Sequence, residues 1–133
     1  MKALLSIKPE FVEKIFSGKK VFEFRKVGFS RDVEKVVVYA TAPIGRIVGE
    51  FNVAKILEDT PASLWEKTKE HSGITEDFFF SYFKNRKMAI AIEIDHPIRY
   101  EKPINPYEKN LKFNPPQSFR YIYEQESPHY TLH

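Results

Sequence analysis

Gly18-Lys19-Lys20-Val21-Phe22-Glu23-Phe24-Arg25 is the stretch that decides how this chain folds. Lys20 to Arg25 alternates with period two: Phe22 and Phe24 point to one side of a strand, and Val21, Glu23 and Arg25 to the other. Gly18 marks the boundary before it, since a glycine just past a helix enters the left-handed region without a Cβ clash. Upstream, Pro9 supplies the fixed φ favoured at a first helical position, and Phe11, Val12, Ile15 and Phe16 recur at helical spacing as one apolar stripe. Ala3-Leu4-Leu5-Ser6-Ile7, before that helix, is a short apolar run. The chain therefore begins as strand, helix, strand.

Downstream, Lys35 to Ala40 is β-branched and nearly all apolar, which predicts a strand with both faces covered. After a turn at Thr41-Ala42-Pro43-Ile44-Gly45, Arg46 to Leu57 returns as a long strand. Thr60 caps and Pro61 opens a second helix, which carries Leu64, Trp65 and Thr68, with Trp65 as a core anchor, and stops near Ser72-Gly73. Thr75 caps a third helix, Glu76 to Phe83, whose Phe78, Phe79, Phe80, Tyr82 and Phe83 are expected to pack on the sheet. Met88 to Ile94 alternates large and small residues as a strand, and a short strand is expected at Ile98 to Tyr100. Six of the nine prolines follow Ile94, together with seven Phe and Tyr residues. So many rings argue against a free tail. Asn105-Pro106 and Ser118 are read as the starts of two short helical turns that fold back over the sheet, and the last few residues as frayed.

Strands in succession between Lys20 and Leu57 exclude a doubly wound sheet. The expected class is α+β: a small, partly closed mixed β-barrel with flanking helices. At 133 residues there is room for one core. Residues 1–102 are assigned to the barrel and 103–133 to a proline- and aromatic-rich extension packed on the same domain.

A composition of 42% hydrophobic and 29% charged residues is globular rather than disordered. The lack of cysteine excludes disulfides, thiolate metal sites and a cysteine nucleophile. No apolar run approaches the roughly 20 residues of a membrane helix, and the apolar start is cut short at Lys8-Pro9, too early for a signal peptide. A cytoplasmic protein with no membrane partner is the expectation. The formal net charge of +3 is too small to announce a nucleic-acid binder. Its distribution is uneven, however: residues 1–35 carry nine basic and five acidic side chains, and residues 50–80 three and seven.

There is no Gly-x-Gly-x-x-Gly and no phosphate loop, and His71, His96, His129 and His133 lack ligand spacing, so neither a metal nor a cofactor is expected. The trio Lys20, Glu23 and Arg25 stands out. Glu23 and Arg25 share a strand face, while Lys20, at the strand's start, points across its end. Arg and Lys donate, Glu accepts, and neighbouring rings stack, a combination suited to a polar planar group. The same spacing fits a solvated outer face with a weak Glu–Arg pair, and spacing alone favours that plainer reading. Lys84-Asn85-Arg86-Lys87 is likewise read as a solvated turn, one that contacts phosphates only if it neighbours a cleft.

Leu5-Ser6-Ile7-Lys8-Pro9, the amphipathic helix, and then Gly18-x-Lys20-x-x-Glu23-x-Arg25 resemble the ASCH domain of the PUA-like superfamily. The Val36 to Ala42 strand with Thr41 is similar to that family's next block. The resemblance implies a cleft between the first helix and the barrel mouth, lined by Lys20, Glu23 and Arg25 with Lys8 and Pro9 at its entrance; Thr41 and Arg46 are expected on the rim. It implies RNA or a modified nucleotide as ligand, and in some relatives a helix-turn-helix regulatory partner; a monomer or weak homodimer is the separate expectation. One branch hydrolyses N4-acetylcytidine with the motif lysine, a threonine at the Glu23 position and a glutamate on a later helix, for which Glu70 is the candidate. Glu23 departs from that pattern, because a carboxylate does not replace a hydroxyl. Other members have been considered ribonucleases.

The first functional reading is therefore a module that binds RNA or a modified nucleotide in nucleic-acid regulation, through Lys8, Lys20, Glu23 and Arg25. The second is a small hydrolase, an N4-acetylcytidine amidohydrolase or a ribonuclease, in which Lys20 works with Glu23 or Glu70. The third is a protein-interaction domain with a merely structural trio. A desolvated Lys20 with a lowered pKa points to the hydrolase, and an exposed one to binding.

Overall fold

Local sequence sets the elements of the computed structural model, which describes residues 1–109 and 113–123. They follow as β1 (Lys2–Ile7), α1 (Pro9–Phe16), β2 (Phe22–Arg25), β3 (Lys35–Ala40), β4 (Arg46–Asp59), α2 (Pro61–Thr68), α3 (Glu76–Tyr82), β5 (Ala89–Ile104), α4 (Pro106–Lys109) and β6 (Phe119–Ile122). Pro9 opens α1, and Gly18, with φ of 83°, turns the chain out of it. The Thr60 and Thr75 hydroxyls accept from the backbone N–H groups of Ser63 and Phe78, satisfying donors that a helix start leaves unpaired. No helix among the described residues is long and apolar enough to cross a membrane.

The strands form one sheet in the order β2-β5-β4-β3-β1-β6. β1 and β3 run parallel, and every other neighbouring pair is antiparallel. β4 and β5 pair along most of their length, with register shifts at three places. Each extra residue bends its strand and strengthens its twist. The sheet consequently curls into a half-barrel with helices on its flanks, the α+β barrel architecture expected from the sequence.

Alternation sorts the core onto two faces. Leu5, Val36, Val38 and Phe51 meet Val12 and Ile15 of α1 on one side, while Leu4, Val37, Tyr39 and Ile47 meet Tyr100 and Phe113 on the other. β3 is covered on both faces, as its unbroken apolar run predicts. Phe22 and Phe24 enter a third cluster with Leu64, Trp65, Phe79 and Phe83, which seats α2 and α3 beside β2.

Two expectations are corrected. Ser118 starts no helical turn: Phe119 to Ile122 is β6, paired antiparallel with β1. Phe119 and Tyr121 pack on the α1 face and Ile122 on the opposite one, a period-two pattern that fits a strand. The short strand at Ile98 to Tyr100 is not separate either. It continues the strand before it as a single 16-residue β5, which runs on to Ile104. Asn105-Pro106 does begin α4. The fraying assigned to the last residues, and the positions of His129 and His133, lie outside the described residues.

Helix α1 lies close over the sheet because Gly49 leaves room for the Phe16 ring; a Cβ there would run into that ring and into the Ile98 carbonyl oxygen. Gly49→Ala is therefore expected to destabilise the protein by about 1–3 kcal/mol, read as a lower urea midpoint. An unchanged midpoint would show that α1 is not held by this contact.

Candidate functional site

β2 and β6 are the terminal strands of the curled sheet, and the seam between the β2 end and the β1–β6 end is where charged groups collect. Arg25 on β2 donates from Nη2 to the Ser6 carbonyl at 2.9 Å and from Nη1 to Ser118 Oγ at 3.2 Å. Its Nη2 also lies 2.9 Å from Glu23 Oε2, and both side chains of that pair are buried. Only its Nε, among buried side-chain polar atoms of the described residues, has no partner. Ser6 adds two further links to the segment leading into β6, donating from Oγ to the Pro116 carbonyl at 2.6 Å and from its backbone N–H to the Ser118 carbonyl at 3.1 Å. Side chains thus close a seam that no backbone ladder closes.

A cleft of about 240 Å³ lies over this seam. Its polar lining is Ser6, Lys8, Lys20, Glu23, Arg25 and Gln117, and its apolar walls come from Ile7, Phe11, Phe24, Ile74, Phe78 and Tyr82. Pockets for drug-sized ligands begin at about 300 Å³, so this one suits a ligand smaller than those. Phe11 of α1 and Phe78 of α3 meet edge to face across it, with centroids 5.5 Å apart.

Lys20 is the unusual group. It is 3% exposed, yet it borders the cleft. Its Nζ donates to the Ser72 carbonyl at 3.1 Å and sits 4.7 Å from the Phe24 ring centre and 5.4 Å from that of Phe11. Two ring faces favour the cation by quadrupole attraction. Loss of hydration outweighs this: burial pushes the ammonium down to about 8, with Glu23 opposing and Lys14 and Arg25 adding to the fall. Gly73 makes the burial feasible. Its φ is 71°, and a Cβ there would come within 2.5 Å of Lys20 Cβ.

Of the residues expected here, Lys8, Lys20, Glu23 and Arg25 border one cleft. Pro9 does not; it serves as the first residue of α1. Thr41 and Arg46 also lie off the cleft. The Thr41 backbone N–H reaches the Ile7 carbonyl, and the Arg46 guanidinium turns back to the Gly45 carbonyl at 2.9 Å. Glu70 is exposed in the short 3-10 turn after α2 and is not among the lining residues. No group of three His, Asp or Glu able to hold a metal ion occurs among the described residues.

The sequence reading missed the cleft roles of Phe78, Tyr82 and Gln117. The first two were legible: on a helix, Phe79 and Phe83 share the buried side, and Phe78 and Tyr82 share a neighbouring one. Gln117 carries no local signal, because it reaches the seam only through the pairing of β6 with β1.

Fold and cleft together define a small mixed half-barrel with a cationic, ring-walled seam. A model of the ASCH domain matches residues 5–104, and the chain belongs to the ASCH domain family, to which a PUA-like fold is appropriate. An ASCH domain-containing ribonuclease of Zymomonas mobilis is 31% identical over 131 residues, covering 94% of this chain and 86% of that protein. The crystal structure of ASCH from Zymomonas mobilis superposes with a TM-score of 0.86 at 28% identity, covering 96% of this chain and 92% of that one. A part of the ATP synthase subunit alpha of Ureaplasma parvum is 32% identical over 120 residues, and this chain spans 15% of that protein's length.

Two outcomes follow from the geometry. Between pH 8 and 10.5 the unfolded chain holds a proton on Lys20 that the folded protein has lost, so stability rises with pH through that window. Measured against Lys20→Met, the wild type is expected to gain about 3 kcal/mol across it, with no difference in slope below pH 7. Parallel profiles would mean that Lys20 is hydrated. Arg25→Ala leaves Glu23 buried without its partner and is expected to cost about 3–5 kcal/mol in denaturant unfolding. A loss under 1 kcal/mol would show that the seam does not depend on Arg25.

Proposed function

We propose that this protein acts on RNA as a hydrolase, with one nucleotide unit seated in the seam cleft and Lys20 as the group that moves the proton. The observation that carries this is a lysine almost wholly buried against two rings at a cleft surface, its pKa lowered by desolvation to about 8. Such an amine is partly neutral near pH 8, which suits general-base work far better than an exposed lysine does. The name of the Zymomonas mobilis relative, a ribonuclease similar along almost the whole chain, supports RNA as the substrate.

In the reaction this would serve, neutral Lys20 takes the proton of a 2′-hydroxyl as its oxygen attacks the adjacent phosphorus. The O2′–P bond forms and the P–O5′ bond breaks; the departing oxygen takes a proton from water, leaving a 2′,3′-cyclic phosphate and a 5′-hydroxyl. Glu23 is already engaged by Arg25, so its part is to hold the floor of the cleft rather than to move protons. The N4-acetylcytidine alternative loses support, because Glu70 stands away from the cleft and position 23 is a glutamate.

A second reading is that the cleft binds RNA or a modified nucleotide without chemistry. It is favoured by the absence, among the described residues, of a second free acid or base bordering the cleft beside Lys20, Lys8 being an exposed amine at its entrance. The two readings differ in pH dependence. A base must be neutral, so cleavage rises with pH through about 8 and levels off above it; a phosphate-binding cation must be charged, so binding falls through the same range. Incubating a labelled mixed-sequence RNA with wild type, Lys20→Ala and Lys20→Arg separates them. The expected result is cleavage by wild type alone, with both variants down at least about 100-fold. RNA left intact by all three, but retained by wild type, would replace hydrolysis with binding. Neither cleavage nor retention would remove RNA altogether.

A further inference from the structure

On the RNA reading the cleft seats one nucleotide unit, yet a polymer continues on either side of it. On the α3 side, the surface next to the cleft is basic. Tyr82, one of the cleft walls, has Lys26 Nζ over its ring at 4.7 Å. The Tyr82 hydroxyl donates to the Phe24 carbonyl at 3.4 Å, which holds the ring at the end of β2. Arg86, in the turn that leaves α3, donates from Nη2 to the Lys26 carbonyl at 2.7 Å and so ties that turn to the segment after β2. Lys84 and Lys87 flank Arg86, and all four cations are exposed.

None of these four has a carboxylate partner among the described residues, although other surface cations do: Lys55 meets Glu93, Lys67 meets Asp59, and Arg99 meets Glu13. The turn that sequence alone reads as a solvated charge run is therefore fastened beside the cleft, with its charge uncompensated. Lys8 is a further exposed cation on the α1 side of the same opening.

We propose that Lys26, Lys84, Arg86 and Lys87 form a track for the phosphates of single-stranded RNA, leading from the cleft across Tyr82. This inference rests on the RNA reading of the cleft and deepens it: the substrate is a strand of several nucleotides, not a free nucleoside. The Tyr82 ring, held between the cleft and Lys26, is the step at which a base in the cleft gives way to backbone on the track. Fixing Arg86 through the Lys26 carbonyl keeps the track in register with the cleft and leaves the ammonium groups free for phosphate oxygens.

The test uses the full chain and two fluorescein-labelled probes measured separately, a 2′-O-methyl RNA octamer and a 2′-O-methyl dinucleoside monophosphate, both of which resist 2′-hydroxyl attack. In the variant Lys26→Glu/Lys84→Glu/Lys87→Glu, Arg86 and its anchoring bond are kept. Octamer affinity at low salt is expected to fall at least about tenfold, and the slope of log affinity against log salt to drop by about 2, near 0.7 for each single-strand phosphate that is no longer neutralised. Dinucleotide affinity is expected to stay within twofold, and a matched Lys→Gln triple variant, which removes charge without reversing it, to show a smaller octamer loss. An octamer affinity and salt slope equal to those of wild type overturn the track. If wild type binds the dinucleotide and not the octamer, the track falls and the cleft reading stands; if it binds neither, both fall. An octaglutamate peptide bound by wild type more tightly than the octamer, and released by the triple variant, would assign the surface to an acidic protein instead.

Discussion

A guanidinium at the end of a short strand holds this molecule together. A curled sheet of six strands leaves two free edges, and here they approach without reaching backbone pairing. Arg25 spans the gap from β2 to the Ser6 carbonyl near the end of β1 and to the serine that leads into β6. Its own charge is met by Glu23 two residues back on the same strand. The planar fork suits this task, since it donates in several directions within one plane. A backbone ladder would have sealed the barrel; a side-chain bridge leaves a hollow, and the cleft occupies it.

The same arrangement explains how a lysine comes to be buried with no carboxylate bonded to it. Glu23 is committed to Arg25, so Lys20 is left with one carbonyl and two aromatic rings. A cation so placed is stabilised less than in water, and its lowered pKa follows chiefly from that deficit, with Lys14 and Arg25 adding smaller repulsions. Seam and lysine are one design: the ion pair that closes the barrel also deprives Lys20 of its natural partner.

Much of the fold was legible because its causes are local. Pro9, Pro61 and the two capping threonines mark helix starts, and the apolar run of β3 declares two covered faces. The misreadings share another cause. Ser118 follows two prolines and a glutamine, so nothing nearby favours a strand; Phe119 to Ile122 becomes one by pairing with β1, more than a hundred residues earlier. Thr41 and Arg46 were expected on the rim because they flank the turn after β3, but that turn directs the arginine back onto its own backbone. The solvated-face reading of Glu23 and Arg25 also rested on spacing, which cannot register that β6 and the helices cover that face.

By itself the sequence determined the strand–helix–strand opening, the mixed-barrel class, and the family through the Gly18 to Arg25 motif, because propensity, capping and periodicity act over a few residues. Only the tertiary structure decided that Lys20 is dehydrated, that Arg25 is a bridge, that Phe78 and Tyr82 wall a cleft, and that the Lys84 to Lys87 turn stands beside it. Burial and charge pairing depend on which distant segments come within a few ångströms. That information lies in the whole chain at once and in no single stretch of it.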